Sequence, residues 1–195
     1  TNLNAYQDAF VTSAYPSTNY NVSWNSSGGY YQLKAGYYDS TTGTNYSLVQ
    51  VNTSPLAGKL INSASFNIYT AHSYYYTTPN TVWLNTINSS WSASSVTWNN
   101  KPGSSALTST STVRGKWASF NVTSTVAKWA SGGANYGFLL HENGNGQAYW
   151  KKFYATENSS NKPYLAVNYS DPPAAPTASA YGNAVNSKSG YVNLA

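Results

Sequence analysis

One stretch of the chain changes the spacing of its apolar side chains twice. Over 117–122 apolar and polar residues alternate, which is typical of a strand with one buried face. Over 122–129 the apolar residues fall at i, i+4 and i+7, on one side of a two-turn helix that Gly132-Gly133 can end. The continuous apolar run at 137–140 predicts a strand buried on both faces. A helix this short is marginal alone, so we expect it to dock on a sheet.

Alternation elsewhere predicts further short strands, separated by turns rich in Ser, Asn, Pro and Gly. Leu33, Ala35, Phe66 and Ile68 are expected core residues because they share the apolar face of their strands. The predicted strands lie at 5–11, 31–36, 46–52, 61–70, 82–87, 148–155 and 164–169, with a shorter one at 96–98 and a long loop at 13–29. About ten short strands at regular spacing predict an all-β fold, a jelly-roll-like antiparallel β-sandwich with one short α-helix.

The composition changes near the C-terminal end of the sequence. Residues 1–170 contain the predicted strands and form the expected domain, whereas 171–176 read as a semi-rigid, Pro-rich linker. Residues 177–195 start another alternating pattern that is too short to bury a core. They are predicted to be the start of a following, fibronectin-like domain, or else a tail that packs back on the sandwich.

The amino-acid composition favours a secreted β protein. The 195 residues include 19 Tyr and 7 Trp, and only 8% are charged. Tyr, Trp, Thr and Val favour strands, and Asn, Gly and Ser favour turns. Because there is no Cys, a hydrophobic core must hold the fold without disulfides, which favours a Gram-positive surface protein over a eukaryotic secreted one. No apolar run approaches membrane-spanning length, so membrane insertion is not expected.

The formal net charge of +5 comes from basic residues that are dispersed along the sequence. Only Lys151 and Lys152 are adjacent among the lysines. Nucleic-acid-binding proteins usually concentrate their basic residues in a stripe, so a nucleic-acid partner is not expected. A dispersed excess indicates a solvated surface or a general attraction to an anionic wall polymer.

Candidate catalytic residues are few. The five acids are not neighbours in sequence, and a glycosidase needs two facing carboxylates at a defined separation. The two histidines, His72 and His141, lack zinc-site spacing, and no nucleophile elbow or phosphate-binding loop is present. We therefore assign no catalytic residue, and a polysaccharide-cleaving enzyme using Glu142 or Glu157 is the weakest of our hypotheses.

Calcium is the one metal that the sequence brings into consideration. Jelly-roll binding modules often hold a structural calcium ion with carboxylates and backbone carbonyls. Asp8 and Glu157 lie in segments that could be neighbours in such a fold, so they are the candidate calcium ligands. The small number of acids in the chain counts against this hypothesis.

Aromatic residues give the strongest positive signal for binding. Runs such as 74–76 cannot face one core, since successive strand residues point to opposite sides, so several tyrosines must be exposed. Exposed rings can stack on sugar faces and donate hydrogen bonds. Trp83, Trp150 and Tyr154 are therefore candidate platform residues, although strand parity leaves the core open as the alternative for both tryptophans. The tryptophans predicted to be core residues are Trp91, Trp98, Trp117 and Trp129.

A family resemblance rests on the segments QDAFV, SWSASSVTWNNKP, WASFNVTSTVAKWASGGANYGFLL, FYATE and KPYLAVNY. Together they resemble the DNRLRE-type domain, a bacterial surface module with relatives among carbohydrate-binding modules. The resemblance covers roughly residues 5–170 and is most specific from Trp91 onward. It implies a β-sandwich, a secreted wall-bound parent and a binding role, and it supplies no catalytic site. Residues 177–195 look like the next domain of a bacillar cell-wall-associated protein of the YD-repeat toxin type.

The sequence departs from this family at one strand. Relatives carry basic residues around the paired aliphatics of the third strand, where this chain has Tyr46 and Gln50. If those charges bind an acidic polysaccharide in relatives, this chain is expected to bind a different ligand, or none.

We therefore expect a non-catalytic, monomeric module that holds a secreted parent to cell-wall polysaccharide or another glycan. Lys34, Lys151 and Lys152 would assist with anionic groups. The alternative is a structural or adhesive spacer whose partner is protein, including other domains of the same chain. The candidate ligand-binding residues are Tyr46, Gln50, Trp83, Trp150, Lys152 and Tyr154.

Overall fold

The computed structural model describes residues 1–144 and 146–174. These residues form eleven strands and one α-helix. The strands are β1 (Asn2–Thr12), β2 (Trp24–Asn25), β3 (Tyr30–Tyr37), β4 (Thr44–Val51), β5 (Leu60–Ser73), β6 (Asn80–Ile87), β7 (Ser104–Thr112), β8 (Lys116–Asn121), β9 (Phe138–His141), β10 (Lys151–Tyr154) and β11 (Tyr164–Ser170), and helix α1 spans Thr123–Ala130. Short 3₁₀ turns occur at Ser54–Leu56 and Gln147–Tyr149. The predicted all-β class with one short helix is confirmed.

The strands pair antiparallel and close into a barrel-like ring. Going round the ring, β3 pairs with β10, β10 with β5, β5 with β11, β11 with β1, β1 with β4, and β4 again with β3. Strand β1 takes part in both halves of the ring, since 2–4 pair with β11 and 5–12 pair with β4. A bulge between Ala5 and Gln7 interrupts the register of the pairing with β4. Strands β9, β6 and β7 extend the sheet beyond β4, and β8 adds to the other edge of β5. The jelly-roll order stays a prediction.

The interior contains every phenylalanine of the chain. All five Phe side chains of the chain are at most 1% exposed and belong to one apolar cluster: Phe10, Phe66, Phe120, Phe138 and Phe153. Helix α1 closes one end of this cluster with Val126 and Ala130, while the Trp129 ring lies 5.1 Å from the Phe138 ring. Burial of apolar surface at roughly 25 cal/mol per Å² makes this cluster the main source of stability in a chain without disulfides.

A second, smaller apolar cluster covers the outer face of β1, β4 and β9. Val11, Leu48 and Leu139 point outward from these strands and are buried by the loop at 88–103, which contributes Val96 and, partly buried, Trp91 and Trp98. The loop is held down by Trp91 Nε1, which donates to the carbonyl of Tyr136 at 2.8 Å. The outer face of β3, β10 and β5 carries polar and aromatic side chains instead.

The structure differs locally from the elements predicted from the sequence. The predicted strand at 96–98 is not formed, because the segment lies between turns at 93–95 and 98–100. The amides of Ser95 and Val96 both donate to the Ser92 carbonyl. Strand β7 was missed because its Ser- and Thr-rich sequence has no apolar face. Trp117 was predicted to be a core residue but is 38% exposed, since it lies on the polar face of β8, opposite Ala118 and Phe120.

The C-terminal predictions are only partly covered by the structure. Strand β11 ends at Ser170, and the predicted linker at 171–176 is described as far as Ala174. The predicted further domain or tail at 177–195 lies outside the described residues. In the part of the chain that the structure describes, no helix has the length and apolar character needed to cross a membrane.

Candidate functional site

Strand pairing brings basic residues from three distant segments into one row. Lys152 on β10 lies directly opposite Lys34 on β3 and, on its other side, opposite His72 on β5. Directly opposed residues of an antiparallel pair have Cβ atoms about 4.5–5.5 Å apart. Arg114, between β7 and β8, is close enough for its charge to act on both Lys152 and His72. These four residues, Lys34, His72, Arg114 and Lys152, are called the basic cluster below.

Burial and mutual repulsion both disfavour positive charge in the basic cluster. Burial lowers the pKa of Lys34 to about 8, with Lys152 as the second cause. Burial also lowers the pKa of Lys152, assisted by Arg114, and that of His72, assisted by Arg114 and Lys152. No carboxylate of the described residues is among these causes. The cluster is therefore a concentrated positive charge without an internal counter-ion, which is the environment that an anionic ligand would stabilise.

A row of aromatic rings adjoins the basic cluster on the same outer face. Tyr154, two residues after Lys152, stacks on Tyr30 with ring centroids 4.9 Å apart and meets Tyr69 at 5.1 Å. Tyr69 then contacts Trp117 at 5.4 Å, and Trp117 contacts Tyr164 at 5.2 Å. The aromatic row thus crosses β3, β10, β5, β8 and β11. With the basic cluster it forms what is called the first face.

Trp150 supports the first face from below. Trp150 is 8% exposed, so it is a core residue and not an exposed platform for sugar stacking. The ring lies 5.0 Å from Tyr38 and 5.6 Å from His72, and the Lys152 ammonium sits 5.2 Å from its centroid. Trp150 therefore sets the position of two members of the basic cluster, and it offers little surface of its own.

Lys151 lies on the opposite side of β10 from Lys152. It is 0% exposed, and its Nζ donates to Glu142 Oε1 at 2.8 Å, to Asn80 Oδ1 at 2.6 Å and to the Thr81 carbonyl at 3.4 Å. The expectation that Lys151 assists with anionic ligand groups is wrong, because its charge is enclosed and already paired. Glu142 is paired with Lys151 in the interior and does not lie in an open cleft. A glycosidase would need this carboxylate to face a second one across the substrate, so Glu142 does not have the required position.

The remaining predicted ligand residues lie on a different surface, the outer face of β4, β9 and β6, called the second face. There Tyr46 contacts Trp98 at 5.1 Å and His141 at 6.0 Å, and Trp83 stacks near His141 at 6.5 Å. Gln50, further along β4, accepts from the Gln7 side chain at 2.6 Å and donates to the Asn135 carbonyl at 2.9 Å. The six candidates are therefore divided: Trp150, Lys152 and Tyr154 belong to the first face, and Tyr46, Gln50 and Trp83 to the second.

The candidate calcium ligands Asp8 and Glu157 are neighbours. Asp8 Oδ2 accepts from the Thr156 amide at 2.7 Å, and the Thr156 hydroxyl donates to Glu157 Oε1 at 3.3 Å. Burial, and next the negative charge of Glu157, raise the pKa of Asp8 to about 8. Within residues 1–144 and 146–174, no group of three or more His, Cys, Asp or Glu side chains is arranged to hold a metal ion.

Arg114 and the exposed ring of Trp117 are the functional candidates that sequence reasoning missed. The only signal for Trp117 was strand parity, which placed it on the polar side of β8. Arg114 is the single arginine of the chain and follows a strand that was itself missed, so its position near His72 and Lys152 had no local signal.

The chain matches one protein family over most of its length and is similar to part of several long bacterial proteins. The family model described as Carbohydrate-binding module family 96 matches residues 1–169. The tRNA nuclease WapA of Bacillus subtilis (strain 168) is 46% identical over 199 residues, and the tRNA(Glu)-specific nuclease WapA of Bacillus subtilis subsp. natto is likewise 46% identical. The tRNA3(Ser)-specific nuclease WapA of Bacillus spizizenii is 45% identical. Each alignment covers 100% of this chain but 8% of the relative, so the chain spans a small part of the length of the curated relatives it matches.

Proposed function

We propose, for a chain that belongs to carbohydrate-binding module family 96, that its first face binds an anionic polysaccharide and catalyses no reaction. The observation that carries this proposal is the concentration of Lys34, His72, Arg114 and Lys152 beside a row of aromatic rings. Carboxylate or phosphate groups on a polymer would supply the counter-charge that the basic cluster lacks, and hydrogen bonds between such charged groups are the stronger kind. Sugar rings would stack on the exposed part of the aromatic row, foremost on Trp117.

The extent of the first face also suits a polymer. The aromatic row extends over five strands, and the basic cluster lies along its side, so consecutive sugar units can contact rings while their charged groups reach Lys152 and Arg114. The departure at Tyr46 and Gln50 from the family's basic strand does not weaken this proposal, because both residues lie on the second face.

The proposal extends to the setting of the module. We propose that the parent protein is a secreted bacterial protein that this chain attaches to the cell wall. The first face would then bind an anionic polymer of that wall. The curated relatives are long proteins named as tRNA nucleases, and that activity is not proposed for this chain, which matches 8% of their length. We propose that the module acts as a monomer, and that it belongs to a longer, toxin-like parent protein.

The test compares a uronic-acid polymer with its carboxyl-reduced, neutral counterpart by isothermal titration calorimetry. Native protein should bind the charged polymer, and affinity should fall with added salt. Lys152→Gln and Arg114→Gln should each weaken binding about ten- to hundredfold, since a hydrogen bond between charged groups contributes about 1.5–3 kcal/mol. Lys128→Gln, which removes an exposed lysine of α1, is the matched control and should bind normally. Equal affinity for the two polymers would refute the proposed charge recognition.

Stacking is tested separately on the same polymer. Trp117→Ala should weaken binding, whereas Tyr6→Ala, which removes a 57% exposed ring from β1, should leave it unchanged. A pull-down with cell walls, before and after removal of their anionic polymers, then tests the natural ligand. Failure to bind either wall preparation or either polymer would favour the alternative function as a structural spacer.

A further inference from the structure

An open groove of about 630 Å³ lies beyond the end of the aromatic row. Its base is the outer face of β5, β8 and β11, where these three strands continue past Trp117 and Tyr164. The residues of the basic cluster and of the aromatic row are not among those that line it. The side chains at its base are short or polar: Ser63, Ser65, Ser119, Asn121, Ala166 and Asn168. This depression is called the hydroxyl groove below.

Strand register explains why this part of the sheet surface is low. Ser65 on β5 lies opposite Ala166 on β11 and, on its other side, opposite Asn121 on β8. Ser63, two residues earlier on β5, lies opposite Asn168. Because alternate residues of a strand share a face, these five side chains all point outward, and none of them is large. The rings of the aromatic row are replaced here by side chains that leave room for a ligand.

The aromatic row leads directly into the hydroxyl groove. Trp117 is two residues before Ser119 on β8, and Tyr164 is two residues before Ala166 on β11, so each pair shares the outer face. The Trp117 ring is 38% exposed and contacts the Tyr164 ring at 5.2 Å, across β5. A sugar ring stacked on Trp117 therefore has the groove beside it, and the next unit of the same polymer can enter the groove.

Two amide side chains are held in position at the sides of the groove. Asn121 Oδ1 accepts from the Thr123 amide at 3.1 Å and from the Thr123 hydroxyl at 2.8 Å, so the NH₂ group of Asn121 is left to donate to a ligand. Asn168 Oδ1 accepts from Asn62 Nδ2 at 3.0 Å, which leaves the NH₂ group of Asn168 in the same way. Both side chains are exposed, and their orientation is set before a ligand binds, which lowers the cost of binding.

The hydroxyl groove offers hydrogen bonds but no charged side chain. No Lys, Arg, Asp or Glu of the described residues lines it. His72, the member of the basic cluster on β5, is seven residues from Ser65, which is roughly 23 Å at about 3.3 Å per residue. An anionic sugar would gain no counter-charge from side chains in the groove, whereas the hydroxyls of a neutral sugar can donate to and accept from serine and asparagine side chains. The groove therefore suits uncharged sugar units.

We propose that the hydroxyl groove binds uncharged sugar units of the polysaccharide whose anionic units bind the basic cluster. In naming a saccharide as the ligand, this inference rests on the proposed function. The ligand is then a heteropolysaccharide that contains both charged and neutral sugars, and not a polymer with a charge on every unit. A ligand that reaches from the basic cluster to the groove follows β5 and contacts the rings of the aromatic row between them.

Calorimetric titration of the 195-residue protein with hyaluronan fragments, in which a uronic acid alternates with an uncharged amino sugar, tests the groove. Ser119→Val removes an exposed hydroxyl and should weaken binding about three- to tenfold, as expected for one hydrogen bond. Ala166→Leu fills the base of the groove and should weaken binding further. Ser109→Val, at an exposed position of β7, is the matched control and should bind normally. Because Ser119 is exposed, Ser119→Val keeps the test valid if Ala166→Leu fails to fold.

Added salt separates the groove from the basic cluster. The losses of affinity for Ser119→Val and Ala166→Leu should be the same at low and high salt, because neither substitution removes a charge. The loss for Lys152→Gln should shrink as salt screens its interaction with the polymer. Losses in the two groove variants that shrink in parallel with that of Lys152→Gln would overturn the inference, since the groove would then act only through the basic cluster.

The NMR signals of the side-chain amides of Asn121 and Asn168 provide a direct readout. A carboxyl-reduced, neutral oligosaccharide should shift both signals and leave that of Asn85, on the second face, unchanged. Unchanged signals of Asn121 and Asn168, or native affinity in both groove variants, would overturn this inference, while charge-dependent binding would still support the proposed function. Shifts of these signals without any preference for a charged polymer would instead refute the proposed charge recognition and support the groove as a saccharide site.

Discussion

Replacing Lys151 with methionine is expected to destabilise the fold by about 3–5 kcal/mol, because it leaves the Glu142 carboxyl in the interior without its cation. The two side chains are 0% and 1% exposed, and Nζ and Oε1 are 2.8 Å apart. All three N–H groups of the ammonium have acceptors, since Asn80 Oδ1 and the Thr81 carbonyl accept the other two. The substitution therefore breaks a complete network in one step.

The size of the effect should depend on pH. Burial raises the pKa of Glu142 to about 7 even though Lys151 opposes that shift, so the pKa should rise further once Lys151 is removed. An acid whose pKa is higher in the folded than in the unfolded state makes the fold less stable as pH rises between the two values. The loss should therefore be small near pH 5, where the carboxyl is protonated in the variant, and it should grow as the pH rises above about 7.

Urea and thermal unfolding at the two pH values measure this loss. At about 2–4 °C per kcal/mol for a domain of this size, the Tm at pH 8 should fall by roughly 6–20 °C. The double variant Lys151→Met/Glu142→Leu should return to within about 1 kcal/mol of the native protein, because both charges are replaced by apolar groups. Lys152→Met changes the neighbouring lysine on the outer side of β10 and should alter stability by at most about 0.5 kcal/mol.

Two results would refute this reasoning. One is a loss below about 1 kcal/mol at pH 8 for Lys151→Met, which would mean that Glu142 is not desolvated as its burial indicates. The other is a double variant as unstable as the single one, which would assign the loss to packing of the lysine side chain and not to the unpaired carboxyl.

Two further predictions concern the binding site and the backbone. Binding of a polyanion should weaken as the pH rises past about 8, where Lys34 loses its charge. Lys34→Arg should retain binding there, because the guanidinium stays charged. Superimposed pH profiles of binding for the two proteins would contradict this prediction. Gly137→Ala should lower the Tm more than Gly132→Ala, since both glycines have positive φ but only at Gly137 would a Cβ collide with the backbone of β4. Equal losses, measured by thermal unfolding, would show that the collision at Gly137 is relieved by small shifts.

Strands with one apolar face could be predicted from the sequence, and a strand without one could not. Leu33 and Ala35 on β3, and Phe66 and Ile68 on β5, alternate with polar residues and are buried as predicted. Strand β7 pairs only with β6 among the described strands and has Ser or Thr at most positions of both faces, so no period distinguished it from a loop. Its hydrogen bonds to β6 join residues that are far apart in the sequence, so no local pattern predicts them.

The alternation of side chains along strand β10 distinguishes its two adjacent lysines. Phe153 is a natural core residue, and Lys151, two positions earlier, must share its face. The sequence therefore already implied that Lys151 points inward and that Lys152 points outward. The sequence could not imply that Glu142 is the ion-pair partner of Lys151. Glu142 directly follows β9 and Lys151 begins β10, and the two side chains meet because the connection with the 3₁₀ turn at Gln147–Tyr149 reverses the chain between them.

The basic cluster depended on strand register, which no local pattern contains. Lys34, His72 and Lys152 come from β3, β5 and β10, and a one-residue slip of β10 would have moved Lys152 to the interior and Lys151 to the surface. Register is fixed here by Phe153, which must be buried, and by the ion pair of Lys151. The apolar interior therefore determines which lysine is available to a ligand.

The distribution of acids, more than that of bases, makes the first face cationic. The basic residues are dispersed along the sequence, a pattern that indicates a solvated surface or a general attraction to an anionic wall polymer. In the fold each acid is engaged away from that face, with Asp171 paired to Lys59, Glu142 to Lys151, Asp39 accepting from the Thr42 amide, and Asp8 beside Glu157. Within 1–144 and 146–174, no carboxylate is left to neutralise the basic cluster. Dispersed lysines in a sequence therefore do not argue against a cationic site when the few acids are used elsewhere.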